Sequence, residues 1–280
     1  MGIELKIRPF IMVSVGMPGD HHVRKSFINL ETCLKCDLCI PVCPTDAIPK
    51  SLVVIKDKCI GCGNCSAICP SSDIIHYEHN ERALRGLLPK CLEAGAEQIE
   101  LHAAVAEDES IMQEWKMVNE VNPDNHNSMC LDRLHLSNFV FENRIEKARE
   151  ISGNRLIIQS DGYPMSGGED DFNTTLQAIA TADVLNKRFN MKLRKSKNIL
   201  IYKKKNEVNQ LLSGGTNSLT AILAEQAGVK FQGASLGTFA RKIVKSIIDN
   251  SEFYENKDGI KKGYLIAKEL VVANIGEPIL

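Results

Sequence analysis

Eight of the ten cysteines of this 280-residue chain fall between positions 33 and 69, in two runs of the same spacing. The first is Cys33-x2-Cys36-x2-Cys39-x3-Cys43-Pro44; the second is Cys59-x2-Cys62-x2-Cys65-x3-Cys69-Pro70. Three thiols with two residues between neighbours wrap one face of an iron–sulfur cubane through a tight turn, and the fourth, after three further residues, points away toward a second cluster. The spacing therefore predicts two [4Fe–4S] clusters with crossed ligation. Cys33, Cys36, Cys39 and Cys69 surround one, and Cys59, Cys62, Cys65 and Cys43 the other. Asp46-Ala47-Ile48 and Asp73-Ile74-Ile75 follow the two runs alike, which suggests a pseudo-twofold module. Zinc sites use paired C-x2-C knuckles on longer loops, and the C-x3-C-x2-C spacing of radical chemistry is absent. The short apolar run near the start ends in Gly16-Met-Pro-Gly19 and reads as a strand rather than an export signal. A reducing cytoplasm is expected, with these thiols as metal ligands rather than disulfides.

The remainder alternates strand and helix. Residues 10–15 read as a fully buried strand. After the cysteine segment the apolar period switches repeatedly between two and 3.6. Strands are expected at 98–102, 127–132, 155–159, 208–212 and 231–235. Helices are expected at 82–94, 108–121, 142–151, 173–189, 218–226 and 241–249. Six β/α units imply parallel strands with right-handed crossovers. An open doubly wound sheet and a (β/α)8 barrel both satisfy this pattern. Short glycine-rich ends after the last two strands favour the barrel. The expected fold class is thus α/β, TIM-barrel-like, with an inserted ferredoxin-like α+β module holding two [4Fe–4S] clusters. Six units do not close eight strands, so either the first two β/α units are lacking or the barrel is incomplete. The expected division is a first barrel strand in 1–20, the cluster module in 21–80, the β/α units in 81–250 and a C-terminal tail in 251–280. Within that tail, 251–263 reads as a loose polar connection.

In such folds chemistry sits at the carboxyl ends of the strands. The backbone N–H groups of Gly214, Gly215, Gly237 and Thr238 are placed to cradle a phosphate, as in FMN; tight turns explain the same glycines equally well. Glu100, His102, Asp132, Arg133 and Asp161 end three successive strands and form a polar site if they share one mouth. Otherwise they tie loops and helix starts together. Cys91 and Cys130 read as small buried residues. The basic stretch Lys192–Lys205 reads as a solvated insertion, with an anionic partner as the alternative. No nucleophile–base pair can be read from the sequence and no H-E-x-x-H run occurs, so nothing assigns an enzyme. A net charge of −1 gives no support for nucleic-acid binding, and no apolar run approaches the ~18 residues of a membrane span.

The doubled cysteine motif is followed in order by Ala94-Gly-Ala-Glu-Gln-Ile-Glu-Leu-His102, Cys130-Leu-Asp-Arg133, Gln159-Ser-Asp-Gly162, Met165-Ser-Gly-Gly168 and Asp171-Phe-Asn-Thr-Thr-Leu176. Leu212-Ser-Gly-Gly-Thr-Asn-Ser218 and Gly237-Thr-Phe-Ala-Arg241 complete the series. In that order, over about positions 9–245, the chain resembles the LdpA family of cyanobacterial light-dependent period proteins. The resemblance implies an iron–sulfur protein that reports redox state, set by photosynthetic electron flow, to the circadian clock. It also implies association with clock input components. All eight cluster cysteines carry over. The chain departs from the family in lacking an N-terminal stretch like two β/α units and in its longer insertion around Lys192. A redox-sensing regulator is the leading expectation. A flavin- or ferredoxin-linked oxidoreductase, with the clusters as electron relay, is the alternative. Exposed sheet edges favour pairing with another chain, so an oligomer is open.

Overall fold

Short apolar strands separated by capped amphipathic helices build one parallel sheet, and the cysteine segment is threaded between its first strand and its first helix. The structure is a computed structural model. It describes residues 9–16, 24–56, 58–59, 61, 63–71, 73–79, 84–104, 108–133, 136–162, 170–190, 193–196, 199–202, 208–249 and 255–275. β1 (Met12–Gly16) is followed by β2 (Arg24–Ile28), the short helix α1 (Asn64–Ile68) and β3 (Ile75–His79). Then come α2 (Leu84–Glu93), β4 (Gln98–His102), α3 (Glu109–Val121), β5 (Asn127–Leu131) and α4 (Asn138–Ser152). β6 (Leu156–Ser160) and α5 (Asp171–Leu185) precede a hairpin of β7 (Leu193–Ser196) and β8 (Ile199–Tyr202). β9 (Asn209–Leu212), α6 (Thr220–Gln226), β10 (Gly233–Ala234), α7 (Thr238–Ile248) and α8 (Lys257–Ile275) complete the chain.

The main sheet has six parallel strands in the order β1-β4-β5-β6-β9-β10. A doubly wound sheet reverses its strand order at a switch point. Here the order runs in one direction only, and the sheet curls as a half-barrel. Among the described residues β1 and β10 each pair with one strand, so both edges are open.

Register divides the residues between two faces. Leu101 pairs with Met129 and Met129 with Ile158, while Glu100 pairs with Ser128 and Cys130 with Gln159. Neighbours in register face the same side, and side chains alternate with period two. One face is therefore apolar, and α3 and α4 cover it with Trp115, Phe141 and Ile145, all fully buried. Each such side chain contributes about 1.5–3 kcal/mol by leaving water. The indole Nε1 of Trp115 donates to Ala148 O at 3.0 Å, so the largest core residue carries no unmet donor. The other face carries Glu100, His102, Ser128, Cys130 and Gln159, all buried and polar.

Helix ends follow local chemistry. α2 stops where Gly95 takes φ 108°. There Gly95 N–H donates to Leu92 O and Ala96 N–H to Cys91 O, both at 3.0 Å, the paired bonds of a glycine C-cap. α4 starts earlier than the apolar period suggests, because Ser137 Oγ accepts from Val140 N–H at 3.3 Å and caps the extra turn.

Three expectations change. β1 is not a fully buried strand: only Val15 is buried, and Phe10 and Ile11 are 67% and 58% exposed. Among the described residues it is an edge strand with a single neighbour, β4. The polar stretch expected as a loose connection enters a 19-residue helix, α8, at Lys257. α8 buries Leu270, and Asn274 Nδ2 donates to Asn217 O at 3.0 Å. The basic stretch, expected as a solvated insertion loop, contains the β7–β8 hairpin; its side chains lie outside the described residues.

Candidate functional site

β2 and β3 pair antiparallel from Arg24–His79 to Ile28–Ile75, and Asn29 N–H extends the ladder to Ile74 O at 2.8 Å. This clamp brings together the two ends of the cysteine segment. Between them the chain is mostly turns. Lys35 and Asp37 have φ of 52° and 58°, and Gly61 and Gly63 have φ of 68° and 91°. These are the same two positions of the repeat, since each pair lies two and four residues after Cys33 and Cys59 respectively. The left-handed region costs a residue with a Cβ about 1–2 kcal/mol. The first run bears that strain at Lys35 and Asp37, and the second avoids it with glycine.

The turns point the thiols at two cavities. One is lined by Cys33, Cys36, Cys39 and Cys69 among aliphatic side chains that include Ile28, Ile74 and Ile75. The other is lined by Cys43, Cys59 and Cys65 with Ser26, Ala47, Ile48 and Tyr77. Each cavity thus takes the leading thiols of one run and the Cys-Pro thiol of the other. Cys62 lies outside the described residues. The Ala47-Ile48 and Ile74-Ile75 pairs that end the repeat occupy equivalent places, one pair per cavity.

N–H groups approach the sulfurs as they do around thiolates. Ala47 N–H lies 3.2 Å from Cys43 Sγ, Lys35 N–H 3.4 Å from Cys33 Sγ, and Ser26 N–H 3.4 Å from Cys59 Sγ. Burial pushes the Cys59 thiol up, but the Ser26 N–H and hydroxyl, the Gly61 backbone and the Lys25 cation outweigh it and hold the thiol below its ordinary range. Cys39 goes the other way: burial raises it, and neighbouring thiols add to that. Soft thiol donors, an apolar lining and N–H groups aimed at sulfur are a donor set that suits iron–sulfur clusters. Cys36 is exposed, so the first cavity reaches solvent.

A second constellation sits at the carboxyl ends of β4, β5 and β6. His102 Nε2 and Cys130 Sγ both lie 3.2 Å from the same oxygen, Asp161 Oδ2. Asp161 Oδ1 accepts from Gly162 N–H at 2.9 Å. The Cys130 thiol and the Ser14 side chain lie within hydrogen-bonding reach of the Glu100 carboxyl. Burial pushes its carboxyl above the usual range, with His102 opposing and Asp161 reinforcing the shift. Burial also raises the Cys130 thiol well above its ordinary value, and the two carboxylates add to this. Of the five polar residues named from the sequence, Glu100, His102 and Asp161 come together. Asp132 is buried beyond the end of β5, and Arg133 engages the start of α4 by donating to Asn138 Oδ1. Cys130, read as a small core residue, belongs to the group. Period-two alternation along β5 places it on the face of Glu100 and His102, and that was the available signal.

Gly214 and Gly215 both have φ of 64°. A Cβ on Gly214 would meet Asp161 Oδ1 at 1.8 Å, and one on Gly215 would meet Thr174 Cβ at 2.7 Å. Close packing against Asp161 and α5 therefore requires both glycines. Gly215 O accepts from Thr175 Oγ1 at 2.7 Å and Asn217 Nδ2 at 2.9 Å, which fixes the turn. Gly237 stands at the N-terminus of α7 with open space around it, and Thr238 opens that helix.

Residues 32–80 match the family model of the LdpA Fe–S cluster-binding domain. The chain is 33% identical over 183 residues to Light dependent period A of Synechococcus elongatus. That alignment covers 64% of this chain and 50% of the relative, so the chain spans about half the length of the curated relative it matches. No solved structure matches. The cysteine segment is thus an iron–sulfur cluster-binding domain, and among the described residues no helix is long and apolar enough to cross a membrane.

Proposed function

We propose, from the premise that this chain belongs to the LdpA family, that it is an iron–sulfur redox sensor that relays photosynthetic redox state to the circadian clock. In this reading the segment is a ferredoxin-like module with two [4Fe–4S] clusters, inserted in a TIM-barrel-like domain. The observation that carries it is the pair of thiol-lined cavities, each drawing cysteines from both runs. Bound clusters supply one-electron chemistry, and each reduction adds one negative charge. The chain's own residues translate that charge. Ser26 N–H reaches Cys59 Sγ from β2, and Lys25 Nζ on the same strand donates to Cys59 O at 2.5 Å. β2 and β3 are also the two strands by which the module joins β1 and α2. A change in attraction at Cys59 therefore acts on the attachment to the half-barrel, the kind of local electrostatic bias that shifts a two-state equilibrium. Clock input or redox proteins are the proposed partners, and the cytoplasm the proposed location.

The test is partner binding by cluster-loaded protein held oxidised or reduced under argon, with released flavin assayed alongside. Redox-dependent affinity with no flavin is expected. Equal affinity in both states defeats the sensor reading. Stoichiometric flavin would move the glycine-rich strand ends to a cofactor site and establish the oxidoreductase alternative.

A further inference from the structure

We infer that His102, Cys130 and Asp161 form a mononuclear binding site for a divalent transition metal, zinc by the chemistry of its donors, separate from the iron–sulfur segment. The three residues come from the ends of three adjacent strands of a rigid sheet, so their backbone positions are fixed before any ion arrives. Each offers one ligand atom, and the three atoms lie within 4.8 Å of one another. Zinc binds nitrogen and oxygen at about 2.0 Å and sulfur at about 2.3 Å, which sets tetrahedral ligand atoms roughly 3.3–3.5 Å apart. The separations from Asp161 Oδ2 to His102 Nε2 and to Cys130 Sγ are both 3.2 Å. One imidazole, one thiol and one carboxylate make a borderline set that suits zinc better than the hard cations, which take oxygen.

Charge points the same way. Two buried carboxyls, Glu100 and Asp161, and a buried thiol crowd about a single imidazole. A divalent cation offsets the negative charge of such a group of donors. An orphaned polar atom supports a further occupant. Gln159 is fully buried, pairs in register with Cys130 on the same sheet face, and its Oε1 lacks a hydrogen-bond partner. Water on the fourth position of the ion supplies a donor to this region. Asp161 is steadied by Gly162 N–H and by the turn at Gly214 packed against its other oxygen.

The alternative is a self-sufficient hydrogen-bond cluster in which Asp161 accepts from His102 and Cys130. Chelator-washed protein with its iron–sulfur clusters intact separates the two. It is titrated with zinc chloride under argon, and the zinc-edge X-ray absorption of the bound ion is measured. Uptake of one zinc per chain is expected, with a single sulfur among nitrogen and oxygen ligands. Cys130→Ser and Asp161→Asn should each weaken binding by at least about tenfold. No uptake by the cluster-loaded protein overturns the proposal, as does a shell of several sulfurs, which marks capture by the cluster cysteines. Because the one-sulfur shell is read on the unaltered chain, the test stands even if a variant fails to fold.

Discussion

The backbone N–H of Ser26 on β2 lies 3.4 Å from Cys59 Sγ, and the Ser26 hydroxyl lies 3.5 Å from the same sulfur. Hydrogen bonds to a ligand sulfur stabilise the more negative, reduced state and raise the potential. Ser26→Ala removes the hydroxyl and leaves the N–H. A bond of about 0.5–1 kcal/mol corresponds to roughly 20–45 mV for one electron, at 59 mV per tenfold. Redox titration followed by electron paramagnetic resonance should show one of two signals moving negative by that amount. A variant with both signals unmoved contradicts the sulfur contact.

Iron removal should loosen one part of the chain. The segment from Asn29 to Ile74 is mostly turns, and cysteines belong to its buried core, so its order depends on metal–thiolate bonds. Treatment with a strong iron chelator and reductant should raise hydrogen exchange across 29–74. The half-barrel core around Trp115 and Phe141 should keep its protection. Uniform loss of protection counts against separate cores.

Gly214 and Gly228 make a controlled pair, with φ of 64° and 68°. Alanine at Gly228 meets no atom within 4 Å, so Gly228→Ala should cost only the left-handed strain, about 1–2 kcal/mol. Alanine at Gly214 adds a collision with Asp161, and Gly214→Ala should cost about 2–5 kcal/mol. Urea denaturation of the two variants measures the difference; equal losses argue against the close packing on Asp161.

Arg144 is fully buried. Its Nη1 donates to Ala103 O at 2.6 Å and its Nε to Asp108 Oδ1 at 2.8 Å, which joins α4 to the end of β4 and the start of α3. Arg144→Ala strands the carbonyl and leaves a hole in the core. Breaking a buried pair costs about 3–5 kcal/mol, and partial exposure of Asp108 lowers the expected loss to about 2–4 kcal/mol. Ser137→Ala, by contrast, removes only a helix cap and should cost about 1 kcal/mol. Thermal unfolding should rank the two variants in that order.

Much of this was legible in the sequence because its signals are local. The cysteine spacing located the segment that forms the cavities. Period-two alternation at 98–102 placed β4 to the residue, and Gly95 marked the end of α2. The departures came from neighbours that a linear reading does not contain. An apolar strand such as 10–15 looks buried until its place at a sheet edge is known. The start of α4 depends on the hydroxyl of Ser137, outside the apolar stripe. α8 has a polar first turn and declares itself through packing on α7 and the bond from Asn274 to Asn217. Cys130 was legible as buried but not as functional, since its partners His102 and Asp161 reach it only through the register of three strands. The glycines at 214 and 215 carried two explanations, and the carboxylate of Asp161 against Gly214 accounts for one of them.

The measurement that bears most directly on the account is the iron and acid-labile sulfide content of anaerobically purified wild-type and Cys69→Ser protein, with paramagnetic resonance of the reduced samples. The account predicts about eight irons per wild-type chain and about four in the variant. The surviving signal should be the one that responds to Ser26→Ala, because Cys69 lines the cavity of Cys33, Cys36 and Cys39 while Ser26 lines the other. Unchanged iron in the variant, or loss of the Ser26-sensitive signal, would contradict the crossed arrangement on which the redox reading stands.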